Sequence, residues 1–291
     1  LYMTWLVIGA TGQLGMAFKR EFSSFSEVKF ANRRVCDLAN PHSLTTCLDR
    51  EQPSVIINCA AYTAVDAAEE DETKATRINA DAVGEMARWA ASRDALMVQF
   101  STDYVFNGTF IGAYAEDAST NPLSAYGRSK AAGEAQFLES GTKGFCLRTS
   151  WVHSNDRHNF FLTMKQLLRE RSNLRIVDDQ RGVPTTTDFL AKITIKLIEL
   201  CQQGKHEMPR LIHAVPSGAT SWFGFANHIR DRLMQVDNKS KLALIEPIPS
   251  SEFSQAAKRP FNSVMSNDLL QSCLGKPVGK WEDWHDSLYG R

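Results

Sequence analysis

Near its N-terminal end the chain runs Trp5-Leu6-Val7-Ile8-Gly9-Ala10-Thr11-Gly12-Gln13-Leu14-Gly15. Four apolar residues read as a short buried strand. They run directly into glycines at positions 9, 12 and 15, and a helical pattern follows over 13–22. Strand, glycine turn and helix in that order make a phosphate-binding turn of the dinucleotide type. Glycine admits positive φ and lets backbone N–H groups approach a pyrophosphate. The helix N-terminus behind them favours negative charge. Gly9, Thr11, Gly12, Gln13 and Leu14 are therefore candidate cofactor-binding residues. A tight strand–helix turn with no ligand is the alternative reading of the glycines taken alone.

Apolar strand patterns recur at 28–31, 55–58, 97–101 and 145–149. Helical patterns lie between them at 42–50, 75–92 and 125–138. Alternating strand and helix predicts a parallel sheet with right-handed crossovers. The strand runs are continuously apolar, as expected when both faces are covered. The fold class expected is α/β: a Rossmann-type doubly wound parallel sheet with a smaller C-terminal α/β substrate domain. Residues 1–150 are expected to form the dinucleotide-binding domain. Residues 151–291 are expected to be mainly substrate-binding, with some segments returning to the sheet. Helices are predicted there at 159–171, 188–203 and 222–235, and strands at 174–177 and 211–214. Two proline-bearing segments, 247–249 and 258–260, are expected to break the pattern. Met3 is a candidate natural start, so Leu1 and Tyr2 are set aside.

The 33 Lys and Arg balance the 33 Asp and Glu, which leaves no protein-wide field for a polyanion and argues against a nucleic-acid partner. No apolar run reaches the ~18–20 residues needed to span a bilayer, and no signal-peptide pattern is present. A soluble, cytoplasmic protein is expected. Cys36, Cys47, Cys59, Cys146, Cys201 and Cys273 are scattered without a C-x-x-C pair, so reduced thiols are expected. The histidines form no ligand pair, and no metal is expected. The acidic run 67–72 reads as a solvated helix start. Trp281 and Trp284 read as packing anchors.

After the second strand the chain reads Asn32-Arg33-Arg34. A carboxylate about 20 residues beyond the glycine turn would hold a ribose 2′-OH. Here there is none, and Arg33 or Arg34 could bind a 2′-phosphate instead. NADPH is the expected cofactor, with NADH possible. The alternative is that both arginines are solvated loop charges. Further on, Ser101-Thr102-Asp103-Tyr104 closes a strand, and Tyr126 and Lys130 sit four apart, on one face of a helix. A neighbouring cation lowers a phenol's pKa from its ordinary value near 10. Thr102, Tyr126 and Lys130 are thus candidates to polarise a carbonyl and exchange its proton.

In that order these motifs resemble the extended short-chain dehydrogenase/reductases. Further segments narrow the resemblance: Asn58-Cys59-Ala60-Ala61-Tyr62-Thr63-Ala64-Val65-Asp66, Arg148-Thr149-Ser150-Trp151-Val152, Asp179-Gln180-Arg181-Gly182-Val183-Pro184-Thr185 and Lys258-Arg259-Pro260-Phe261-Asn262-Ser263. Over nearly the whole chain the pattern is similar to the dTDP-4-dehydrorhamnose reductase family. The resemblance implies NADPH-dependent reduction of a nucleotide sugar at C4, with Tyr126 as proton donor and Lys130 holding the ribose and tuning Tyr126. It implies contact of Gly12, Gln13 and Leu14 with the cofactor diphosphate and of Asp37 and Leu38 with the adenine side. Ala61, Tyr62 and Thr63 would line the cofactor further on. Val65, Thr102, Asp103 and Trp151 would meet the sugar, and Arg259 would pair with the nucleotide diphosphate.

The chain also departs from that pattern. Asn32 stands where the family often has an acidic residue, in line with NADPH. Ala17 replaces a glutamate that in some relatives serves a magnesium-bridged dimer, which speaks against that metal and that dimer; a homodimer of another kind stays open. The segment 153–160 lacks the glycine usual before Asn159-Phe160, so its loop is expected to differ in shape. A sugar-nucleotide dehydratase would need Asp-Glu after the threonine, whereas Asp103 is followed by Tyr104. Another sugar-nucleotide reductase, an epimerase, or a non-catalytic regulatory subunit like that of methionine adenosyltransferase remains the alternative.

Overall fold

The computed structural model describes residues 4–204, 208–236 and 241–289. Met3, with Leu1 and Tyr2, lies outside the described residues. Alternation along the first strand sets the layers. In β1 (Trp5–Ile8), Val7 points to one core with Phe18 and Phe22, while Leu6 and Ile8 point to another with Leu44 and Leu48. Both sides are buried, so each strand must be covered twice.

The central sheet has β1, β2 (Val28–Ala31), β3 (Val55–Asn58), β4 (Leu96–Thr102), β5 (Lys143–Thr149) and β6 (Leu211–His213) in the order β6-β5-β4-β3-β1-β2. Every neighbouring pair is parallel. Helices α1 (Gln13–Glu21) and α6 (Thr187–Gln202) cover one face. The other is covered by α2 (Pro41–Glu51), α3 (Ala82–Ser92) and α4 (Ala125–Glu139). The chain leaves β1 toward β2 on one side and returns to β3 on the other. That reversal opens a crevice beyond the carboxyl ends of β1 and β3, where ligands of such sheets bind.

A second core gathers Phe161, Met164, Phe225, Ile229 and Trp281. It packs α5 (Phe160–Glu170) against α7 (Trp222–Val236), beside a two-stranded parallel ladder of Asn173–Val177 and Leu244–Ile248. The second half of the chain is not confined to this lobe, since α6 and β6 return to the main sheet. Pro247, expected to break structure, lies within a strand opposite Ile176. A two-stranded ladder leaves that strand an outer edge, where a missing N–H costs no pairing.

The acidic run starts a helix as expected, with Asp71 capping the short helix Glu72–Thr76 by accepting the Lys74 N–H at 3.1 Å, and it also reaches a neighbouring element. After the single turn Val65–Ala68, Glu69 accepts the Ala125 N–H at 2.8 Å, and Glu72 holds Arg128 through two bonds of 2.8 and 2.9 Å. The charges fix the start of α4 rather than only face water. All six cysteines are free thiols. Among the described residues no helix is long and apolar enough to cross a membrane, and no group of three His, Cys, Asp or Glu side chains could hold a metal ion. Ala17 is fully buried against the sheet.

Candidate active site

The crevice is a cleft of about 790 Å³ running from the glycine turn past the ends of β3, β4 and β5. Its floor at one end is the turn itself. Gly9 has φ +84°, and a Cβ there would lie 2.6 Å from Ala60 N. A Cβ on Gly15 would lie 2.3 Å from the Gly9 carbonyl oxygen. Both glycines are needed to let the turn close against β3 and α1. Gly12, at the N-cap of α1, has no side-chain cap, so the first N–H groups of the helix face the cleft for a ligand to accept. Deeper in the cleft, the buried hydroxyls of Ser101 and Thr149 have no hydrogen-bond partner among the described residues. An anion cradle at one end and orphaned polar atoms at the other fit a long ligand with a phosphate and a polar ring.

The catalytic candidates meet at the carboxyl end of β4. Thr102 is its last residue, and the Ser124 side chain caps α4 by accepting the Gly127 N–H at 3.1 Å. That cap sets Tyr126 in the first turn of α4 and Lys130 one turn on. Gly127 lets α4 approach closely, because a Cβ there would lie 2.3 Å from the Tyr104 carbonyl. Tyr126 is hydrogen-bonded to Thr102, and burial pushes its hydroxyl up to about 12. The phenol therefore stays protonated at neutral pH. This departs from the expectation that Lys130 lowers it. The lysine ammonium instead donates to the Phe100 carbonyl at 2.6 Å, and burial pushes it down to about 8. The opposing influence on Tyr126 is the Thr102 hydroxyl. Next to them, burial pushes Asp103 up to about 7 against bonds from Ser263 and Thr102.

Most other candidates line the same cleft. Arg33, Asp37 and Leu38 lie at the end beyond β2, and Ala61, Tyr62, Thr63 and Val65 follow β3. Trp151 lines the wall at φ +47°, stacked on Trp222 with ring centroids 3.6 Å apart. Three expectations are placed elsewhere. The Asn32 carboxamide is turned into its own loop, accepting the Arg34 N–H at 2.9 Å. Arg34 does not line the cleft, which leaves Arg33 as the cation there, 3.4 Å from Asp37. Arg259 is not on the cleft wall; it is held by Asp66 at 2.7 Å, with a further bond to Tyr104. An ion pair already formed leaves that guanidinium engaged inside the protein.

The structure also brings in residues that motif reading passed over. Asn79 accepts the Tyr62 N–H at 2.8 Å and donates to Tyr62 O and Ser129 Oγ at 3.0 Å each, tying the loop after β3 to α4. It sits in a π turn, Arg77–Asp81, a local irregularity that periodicity does not reveal. Trp222, Lys74, Arg157 and His158 join the cleft from distant segments. Their only sequence signal is residue type.

The family model described as the RmlD substrate binding domain matches residues 3–289. A curated dTDP-4-dehydrorhamnose reductase from Burkholderia thailandensis is 37% identical over 284 residues, covering 96% of this chain and 95% of that protein. The crystal structure of a dTDP-4-dehydrorhamnose reductase from Clostridium acetobutylicum superposes with a TM-score of 0.90 at 33% identity, covering 99% of both chains. The Bacillus anthracis dTDP-4-dehydrorhamnose reductase in complex with NADP superposes at 0.88 with 30% identity, again over 99% of both. On this full-length agreement of sequence and fold, the chain belongs to the dTDP-4-dehydrorhamnose reductase family.

Proposed function

We propose that this chain reduces dTDP-4-dehydro-6-deoxy-L-mannose to dTDP-L-rhamnose with NADPH, and that Tyr126 is the proton donor. The observation that carries this reading is the Tyr126 hydroxyl, buried, kept protonated and hydrogen-bonded to Thr102 at the end of β4. The glycine cradle and the open N–H groups of α1 suit the cofactor diphosphate, with Gly12, Gln13 and Leu14 in contact. Arg33 would meet the 2′-phosphate, Asp37 and Leu38 the adenine side, and Ala61, Tyr62 and Thr63 the stretch beyond. Lys130 would hold the nicotinamide ribose. When bound, NADPH supplies the hydride that reduces C4.

The remaining work falls to side chains. Thr102 orients Tyr126, and its one hydroxyl proton, given to Asp103 in the free protein, turns to the ketone oxygen when the sugar is bound and stabilises the charge that develops there. Tyr126 transfers its proton to that oxygen, and the resulting phenolate regains a proton from solvent through the open cleft. Val65, Asp103 and Trp151 border the sugar. A protonated Asp103 beside the ketone would avoid repelling the developing alkoxide.

The test is substrate-dependent NADPH oxidation, run beside Tyr126→Phe. The wild type is expected to turn over, and the variant to lose ~10²–10⁴-fold in kcat, the usual contribution of a positioned acid. Full activity in Tyr126→Phe would remove the proposed acid. Intact NADPH binding without turnover in the wild type would favour the regulatory-subunit reading, and NADP(H) co-purifying tightly would favour an epimerase.

A further inference from the structure

We propose that Arg157 binds the diphosphate of the dinucleotide cofactor, held over the glycine turn by a loop whose backbone is strained to put it there. This rests on the dinucleotide reading of the cleft. The Arg157 backbone has φ +60°, a left-handed conformation that favours glycine and that long side chains rarely adopt. Strain of this kind persists where the surroundings over-determine it. Here they do. Asn159 Nδ2 and Ser154 Oγ both donate to Gln13 Oε1, at 2.8 and 3.1 Å, and Asp156 pairs with Arg20 of α1 at 2.6 Å. The loop is thus clamped onto the helix that follows the glycine turn.

The strained residue directs its side chain at the turn itself. Arg157 Nε donates to the Thr11 carbonyl at 2.9 Å, and the side chain lines the cleft beside Gly12 and Gln13. Its two terminal nitrogens have no hydrogen-bond partner within the protein among the described residues. A guanidinium anchored through Nε presents its remaining fork to an anion, the geometry that suits phosphate oxygens. The other cleft cations are elsewhere: Arg33 lies with Asp37, Lys130 is on the Phe100 carbonyl, and Lys74 lies over the Tyr62 ring. The chain as a whole has no net charge to attract a dinucleotide. A fixed arginine at the glycine turn supplies that attraction where the diphosphate must sit.

The experiment titrates NADPH and NADH, by their fluorescence, into the wild type, Arg157→Gly and Arg157→Asn, at two salt concentrations and without substrate. Glycine and asparagine both tolerate the left-handed backbone, so both variants are expected to keep the wild-type thermal midpoint. Both should bind NADPH and NADH about tenfold more weakly, by the same factor, as expected on losing a charge-assisted hydrogen bond. The salt dependence of the dissociation constant should become shallower. Arg33→Ala, run alongside, should weaken NADPH alone. Unchanged dissociation constants in both Arg157 variants would overturn the proposal. So would a loss confined to NADPH, which would put Arg157 on the 2′-phosphate, or a loss in only one variant, which would make the effect one of loop shape. A wild type that binds neither dinucleotide would overturn this proposal together with the cofactor reading, whereas tight binding by all three proteins would overturn this proposal alone.

Discussion

Replacing Glu134 by Gln tests how α4 is held in place to present Tyr126 and Lys130. Glu134 lies one turn beyond Lys130 and receives Arg148 of β5 through two bonds, 2.9 Å from Nε and 2.7 Å from Nη2. Both side chains are about 95% buried, with exposures of 4% and 5%. The guanidinium also packs over the Phe106 ring at 5.1 Å. Gln keeps the shape but removes the charge and turns an N–H₂ group toward another donor. Arg148 is then a buried cation without its counter-charge, and breaking such a pair costs about 3–5 kcal/mol. For a chain of this size that corresponds to a fall in thermal midpoint of roughly 6–20 °C. Thermal and urea unfolding of Glu134→Gln measure it. The double variant Arg148→Met/Glu134→Leu should recover most of the loss, because an apolar pair carries no desolvation penalty. A Glu134→Gln protein within ~1 kcal/mol of the wild type would mean that this pair does not hold α4, since that loss falls below the range for a broken buried pair.

Two further outcomes follow from buried bases. Lys130 is pushed down to about 8, so its ammonium is present below that pH and lost above it. Cofactor affinity should decline along an alkaline limb beginning near pH 8, and the limb should be missing in Lys130→Met; the same limb in that variant would refute the assignment. Burial pushes His153, His213 and His285 down to about 4, 3 and 2. Each is neutral in the fold, while the unfolded chain takes up protons below the ordinary value near 6.5. Their contribution to stability is therefore full above about pH 6.5 and is lost as pH falls toward 4. Urea midpoints measured between pH 7.5 and 5 should fall, and replacing the three histidines singly should reduce the slope; a midpoint flat across that window would contradict the burial argument.

What was legible in the sequence is what short-range spacing encodes. The strand, the turn from Gly9 to Gly15 and α1 are consecutive, so their shared role follows from order alone. Tyr126 and Lys130 are joined by one helical turn, and Thr102 by the end of a buried strand. Partnerships across the chain were not legible. Arg259 and Asp66 lie 193 positions apart, and nothing local announces that they engage each other. The role of Asn32 hinged on which way one carboxamide turned in its loop. Arg157 and Trp222 enter the cleft from segments whose path depends on packing in the second lobe. Lys130 was legible as a neighbour of Tyr126, but its partner, the Phe100 carbonyl, belongs to a strand 30 positions earlier.

In the proposed reaction the cofactor held at the glycine turn reduces the sugar at the carbon next to Tyr126. The direct test uses NADPH carrying deuterium on the transferring face of nicotinamide C4, with dTDP-4-dehydro-6-deoxy-L-mannose, and reads the product by NMR. The expected product is dTDP-L-rhamnose with one deuterium at sugar C4 for each NADPH oxidised. Product without deuterium at C4, deuterium at another ring carbon, or NADPH consumed without a reduced sugar would contradict it.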